Sequence, residues 1–192
     1  MIARVLRVIA TSFAIVSGFA VLGLAFVIAF DIVARKLFAF SIQGTDEYGG
    51  YVLAMIASLG LSHALLQRGH TRVDIIMPYL TTRLQAAVNL LALATLLGYA
   101  AFIAWYAFAA FSETLEFDSR ANSPLQTPLW IPQLLWVIGT WTFVIVAAWA
   151  LCRAAALFGR APVEVNREFG PLSAIQEVTE LAQELEATRK RR

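Results

Sequence analysis

The charged residues of this chain are segregated, and that distribution limits the possible folds more than any other feature. No charged residue occurs between Arg7 and Asp31, between Glu47 and Arg68, between Arg83 and Glu113, or between Arg120 and Arg153. Each interval is at least as long as the roughly 18–20 residues that a helix needs to cross the hydrocarbon core of a bilayer. The chain is only 15% charged, against about 25% in a typical soluble domain. We therefore predict an all-α integral membrane protein with four transmembrane helices.

The four intervals also set the predicted domain boundaries. We place the spans at 8–31, 48–66, 86–111 and 131–152. The first apolar run is longer than the roughly 7–15 residues of a cleaved signal sequence, so it is read as a retained helix. Residues 1–160 then form a four-helix membrane domain, and residues 161–192 form a cytoplasmic tail.

Lysine and arginine residues indicate the orientation. Two precede the first span, three lie between the second and third spans, and seven follow the fourth, whereas two lie in the first loop and one in the third. The positive-inside rule then predicts that both termini are cytoplasmic. In the tail, the S-x-x-Q pattern at Ser173 and Gln176 and a loose apolar stripe after it predict an amphipathic helix. Its basic end, RKRR, would either contact anionic lipid or be solvated.

The second predicted span carries a stripe of small residues. Its members are spaced by four and are Gly50, Ala54, Ser58 and Ser62. Small side chains at this spacing allow two helix backbones to approach closely. The spacing alone leaves two interpretations open, which are packing inside this chain's own bundle and docking to a larger membrane partner.

Several chemical functions lack the residues that they need. The sequence has two histidines, which excludes two bis-histidine haems, and a single haem would be geometrically poor because His63 is near the end of the second span and His70 lies in the loop. It has one cysteine, so that cysteine-based metal and redox sites are excluded. No charged residue lies in the middle of a span, where an independent ion-coupled transporter would bind its ion. We find no phosphate loop, catalytic triad or basic nucleic-acid-binding face. The sequence therefore predicts neither an enzyme nor a cofactor site, and it favours an accessory role.

Two polar segments remain as candidate sites. In "RGHTRVDII", His70 and Asp74 are four residues apart, but two ligands are too few for a metal, and Arg68 and Arg72 would repel a cation. We interpret this segment as a polar turn that continues, from Val73 onward, along the inner membrane surface.

The other candidate is the first outer loop. Arg35 follows the first span, and Asp46 and Glu47 open the second, with Thr45 as the predicted N-cap. The helix dipole favours carboxylates in a first turn. We predict that Arg35 pairs with Asp46 or Glu47 in a structural clamp, although ordinary interfacial charge is the alternative.

The order of these segments resembles a known family. "DIVARKLF" ends the first span, the acidic pair "DE" opens the second, "ASLGLSHALLQRG" leads into "HTRVDII", and "SPLQTPLWIPQ" precedes the fourth. Over roughly residues 20–150 this pattern is similar to the small membrane subunit of the tripartite ATP-independent periplasmic (TRAP) transporters. The positions that carry the resemblance are Arg35, Asp46 or Glu47, His70, Arg72, Val73 and Asp74. The first loop, "SIQGTDE", lacks the tryptophan that members of the family often have there.

The resemblance implies a specific role. Small TRAP subunits lie in the bacterial inner membrane and brace a large membrane subunit that carries the sodium-coupled transport path. A periplasmic solute-binding protein docks on the pair, and the solutes are mostly carboxylate-bearing organic acids. The expected partners are therefore these two proteins and membrane lipid, with no nucleic acid and no cofactor. The alternative is a structural anchor subunit of another inner-membrane complex.

Overall fold

The chain folds into long helices, as its sequence predicts. A computed structural model describes residues 2–69, 77–123 and 125–170, and within these ranges it contains no strand. The helices are α1 (Ile2–Phe38), α2 (Thr45–Leu66), α3 (Thr82–Glu116), α4 (Trp130–Phe158) and α5 (Pro162–Phe169), with a 3-10 turn at Met77–Tyr79. Helices α1 to α4 are long and apolar enough to cross a membrane. The predicted all-α fold with four transmembrane helices is confirmed.

The helices are longer than the predicted spans. Helix α1 has 37 residues, which at about 1.5 Å per residue corresponds to about 55 Å. A bilayer's hydrocarbon core is only about 30 Å thick. Helix α1 is longer than the predicted span because it continues through Arg35 and Lys36 in its last turn.

The helices pack in the order α1, α2, α4, α3. Helix α2 contacts α1 on one side and α4 on the other, while α3 packs against α4. Helix α4 is therefore central, and α1 lies at the edge with α2 as its main neighbour. The short helix α5 packs on α3 and α4. This arrangement leaves broad helix faces without a neighbour in the described part of the chain.

Small residues form the contacts between these helices. On α3 the buried positions recur every seven residues, at Ala86, Leu93, Ala100, Ala107 and Thr114. A repeat of seven keeps one side of a helix facing its neighbour, as in a left-handed coiled coil. Helix α1 shows the same interval between its buried Ala10 and Ser17. Lipid is as apolar as a leucine side chain, so close packing of small residues helps to hold membrane helices together.

Helix α2 begins after a glycine that the geometry requires. Gly44 has a φ of 84°, and a Cβ atom there would collide with the side chain of Leu125. The predicted N-cap, Thr45, is instead the first residue of α2. Its Oγ1 donates a hydrogen bond back to the Ile42 carbonyl at 3.0 Å. Thr45 therefore closes the preceding turn and does not cap the helix.

Helix α5 is attached to α3 by amide groups. The Asn89 Nδ2 donates to Asn166 Oδ1 at 3.0 Å. The Asn166 Nδ2 in turn donates to the Thr82 carbonyl and to Gln85 Oε1. Residues 162–169, which open the predicted tail, therefore pack on α3 and α4. The amphipathic helix predicted after Ser173 lies outside the described residues.

Candidate functional site

Asp31 connects the end of α1 to the loop that follows it. Its carboxylate is buried and pairs with Arg35, which lies one turn further along α1. It also accepts hydrogen bonds from the Ile42 N–H at 2.6 Å and from Ser41 Oγ at 3.2 Å. This single carboxylate therefore joins the helix, a guanidinium and the loop backbone.

The observed ion pair corrects the predicted clamp. Arg35 pairs with Asp31, and neither Asp46 nor Glu47 contacts it as an ion partner within the described part of the chain. The cause is the length of α1. Because the helix continues past residue 31, Asp31 and Arg35 become helical residues four apart on one face, a spacing that favours ion pairs.

Glu47 connects α2 to the loop between α3 and α4. Its carboxylate accepts hydrogen bonds from Tyr51 Oη at 2.6 Å and from Ser123 Oγ. The Leu125 side chain, two residues further along, packs on Gly44. Asp46 and Glu47 do lie in the first turn of α2, as predicted. Glu47 therefore joins α2 to the second of the two loops at one end of the bundle, which we call the first-loop end (residues 39–44, 117–123 and 125–129).

An open cleft of about 760 Å³ lies at the first-loop end. Its charged lining residues are Asp31, Arg35, Asp46 and Glu47. The carboxylates outnumber the guanidinium, so the cleft is acidic. The described residues include no group of three or more metal-ligating side chains. The arrangement can therefore hold loops in place and present an acidic surface.

The small-residue stripe of α2 divides into two halves. Ser58 and Ser62 are buried, whereas Gly50 and Ala54 are exposed. Two residues four apart on an α-helix are separated by about 400° of rotation, which is about 40° more than a full turn. The stripe therefore moves around the helix by about 40° from one member to the next and cannot face one neighbour throughout. A Cβ atom on Gly139 would lie 2.8 Å from Ser58, so α4 packs closely on the buried half. The exposed half is free of such contacts in the described part of this chain.

Some predicted site residues lie outside the described part of the chain, and the structure also shows site residues that were not predicted. His70, Arg72, Val73 and Asp74 lie outside the described ranges. Sequence reasoning missed Asp31, Ser123 and Gly139. The spacing of four between Asp31 and Arg35 would have indicated their ion pair if the first helix had been predicted to continue past residue 31. Ser123 and Gly139 carry no local signal, because their roles depend on contacts with distant residues.

One comparison with known proteins gives a match. The family model described as "Tripartite ATP-independent periplasmic transporters, DctQ component" matches residues 24–158. The matched segment contains the Asp31–Arg35 pair, Glu47 and Ser123, and it ends at the last residue of α4. Comparison with curated proteins and with solved structures gives no match.

Proposed function

The chain belongs to the DctQ component family of the tripartite ATP-independent periplasmic transporters, and we propose that it is the small scaffold subunit of a sodium-coupled transporter that imports carboxylate-bearing organic acids. Its proposed partners are a large membrane subunit and a periplasmic solute-binding protein, in a bacterial inner membrane. In this proposal the large subunit carries the transport path, and this chain braces it without catalytic activity.

The observation that carries this proposal is the absence of charge in the middle of the membrane helices. The sequence has no charged residue from Val8 to Phe30, from Tyr48 to Gln67, from Leu84 to Ser112 or from Ala121 to Cys152. A protein that couples transport to an ion by itself needs an ionisable group at that depth. This chain instead offers helix surfaces, which suits a bracing role.

The proposed surface for the large subunit consists of α1 and the exposed half of the α2 stripe. Only 6% of the most apolar part of α1 is buried within this chain. A Cβ atom placed on Gly50 would meet no heavy atom within 4 Å beyond the local helix backbone. A helix of the large subunit could therefore approach α2 closely at Gly50 and Ala54.

The proposed surface for the binding protein is the acidic cleft at the first-loop end. The distribution of lysine and arginine supports a periplasmic position for this end. Its two loops are fixed by Asp31 and Glu47, so the cleft presents a preorganised surface, which lowers the ordering cost of docking.

Co-purification with a tagged large subunit tests the proposed surface. We expect Gly50→Leu to reduce recovery of the complex about tenfold, because a bulky side chain prevents close helix approach. The matched control is Gly98→Leu on α3, where a glycine is equally open but lies at the other edge of the helix row. Normal recovery of the Gly50→Leu complex would show that this surface is not the interface.

Reconstitution tests the accessory role itself. Vesicles that contain both membrane subunits and the binding protein should accumulate an organic acid when a sodium gradient is applied. Vesicles that contain this chain alone should not, and uptake by them would contradict the proposal. Pull-down in mild detergent distinguishes this proposal from the alternative function. Recovery of a redox or envelope-assembly complex would support a structural anchor without a role in transport.

A further inference from the structure

A small pocket with an excess of positive charge lies at the opposite end of the bundle from the acidic cleft. It has a volume of about 120 Å³, which is room for several water molecules or one phosphate group. Its polar lining comes from Arg7, Arg68 and Glu168, and its apolar lining includes Leu65, Trp149 and Ala150. Helices α1, α2, α4 and α5 or the turns next to them each contribute at least one of these residues.

The charges at this pocket do not cancel. The Glu168 carboxylate pairs with Arg153, whose guanidinium also lies 6.0 Å from the centre of the Trp149 ring. Arg7 and Arg68 have no ion partner among the residues that the structure describes. Within the described part of the chain, two guanidiniums therefore remain uncompensated beside the pocket, and such groups attract an anion.

Arg68 is held in place by an ordered turn. Its backbone has a φ of 57°, a left-handed conformation that is uncommon for a residue with a side chain. The Arg68 N–H donates to the Leu65 carbonyl at 3.2 Å, and the Gly69 N–H donates to the Ala64 carbonyl at 2.8 Å. The turn fixes the start of the Arg68 side chain at the pocket, which lowers the ordering cost of binding.

We propose that this pocket binds the phosphate headgroup of an anionic phospholipid. Guanidinium groups bind phosphate oxygens in a bidentate manner. The apolar wall of Leu65 and Ala150 belongs to the membrane helices α2 and α4, so it continues toward the region where acyl chains lie. Trp149 suits the boundary between headgroups and chains. A free phosphate ion would use the guanidiniums but would leave the apolar wall unused, which favours lipid as the source.

Lipid titration of the full chain in detergent, followed by native mass spectrometry, tests the proposal. The probes are phosphatidylglycerol, phosphatidylcholine and inorganic phosphate. We expect phosphatidylglycerol to bind most tightly. The double variant Arg7→Gln/Arg68→Gln should bind it about 25-fold more weakly, because each arginine near a lipid headgroup contributes about fivefold in affinity. Glu168→Gln should act in the opposite direction and tighten binding, since it removes the one carboxylate from the pocket lining.

A matched double variant separates the pocket from general surface charge. Arg4→Gln/Arg83→Gln removes the same charge from residues that do not line the pocket. It should retain most of the affinity for phosphatidylglycerol. An equal loss in both double variants would overturn the proposal, and so would binding of inorganic phosphate as tight as that of lipid. If the Arg7→Gln/Arg68→Gln variant fails to fold, Glu168→Gln still tests the proposal. We expect Glu168→Gln to bind phosphatidylglycerol more tightly, and unchanged binding by this variant would also overturn the proposal.

Discussion

Helices α1 and α4 have similarly apolar sequences, yet they occupy opposite positions in the molecule. Helix α4 lies between α2 and α3, and 33% of its most apolar part is buried. Helix α1 lies at the edge, and only 6% of its most apolar part is buried. In a soluble protein the more apolar helix would usually be the more buried one. Here hydropathy identifies both helices as spans but does not rank their burial.

Side-chain size accounts for the difference between these two helices. The buried positions of α4 include several small residues, among them Gly139, Ala147, Ala150 and Ala154. The exposed side of α1 carries larger ones, such as Phe19, Phe26 and Phe30. Lipid tails solvate a phenylalanine about as well as a protein core does, so burial in a membrane selects surfaces that pack closely. Small residues therefore form much of the packed centre of this fold, beside larger buried residues such as Phe143 and Val146.

The largest expected effect comes from Gly139 at the contact between α4 and α2. A methyl group there would lie 2.8 Å from the backbone carbon of Ser58. Backbone cannot move aside as a flexible side chain can, so we expect Gly139→Ala to destabilise the isolated chain by about 3 kcal/mol. Thermal unfolding in detergent measures this loss, as a fall in Tm of about 2–4 °C per kcal/mol for a chain of this size.

The control for this variant lies on α1. Gly23 has no heavy atom within 4 Å of a Cβ position. Gly23→Ala should therefore leave Tm unchanged or raise it slightly, because alanine favours a helix over glycine by up to about 1 kcal/mol. Equal losses in the two variants would show that α1 is packed as closely as α4, and side-chain size would then not separate the two helices.

The sequence predicted the four long apolar helices well, because each of the four uncharged intervals is long enough to cross a bilayer and too apolar to remain in water. It predicted the helix ends less well, since Arg35 and Lys36 are charged but still helical. It could not predict the order of packing. The repeat of seven at Ala86, Leu93 and Ala100 is visible only after the buried face of α3 is known, because leucine and alanine also occupy its exposed face.

The sequence predicted which charged residues lie at the candidate site but not which of them form an ion pair. The acidic pair and Arg35 were identified, and all of them line the same cleft. The ion partner of Arg35 was not identified, because the predicted first span ended at residue 31. That boundary placed Asp31 at the end of the helix and Arg35 in a loop. Likewise, the contact of Glu47 with Ser123 joins residues 76 positions apart, and no local pattern encodes such a contact.

A smaller effect is expected where α5 is attached to the packed side of the bundle. Asn166 makes three side-chain hydrogen bonds, with Asn89, Thr82 and Gln85. Asn166→Ala removes all of them, and we expect a loss of about 2 kcal/mol, because individual hydrogen bonds contribute about 1 kcal/mol each and do not add fully. Amide hydrogen exchange should show faster exchange across 162–170. Arg167→Ala is the matched control on the same helix, and it should leave exchange in this segment unchanged.

The smallest expected effect is a gain in stability, and it concerns the buried half of the α2 stripe. The Ser62 hydroxyl is buried and has no hydrogen-bond partner in the described part of the chain. A buried polar group without a partner is costly, so Ser62→Ala should stabilise the isolated chain by about 1 kcal/mol. Ser58 is the control, because its Oγ already donates to the Ala54 carbonyl at 2.9 Å. Ser58→Ala should therefore change Tm little. A fall in Tm for Ser62→Ala would mean that the hydroxyl contributes a contact, and that close packing alone does not hold α2 against α4.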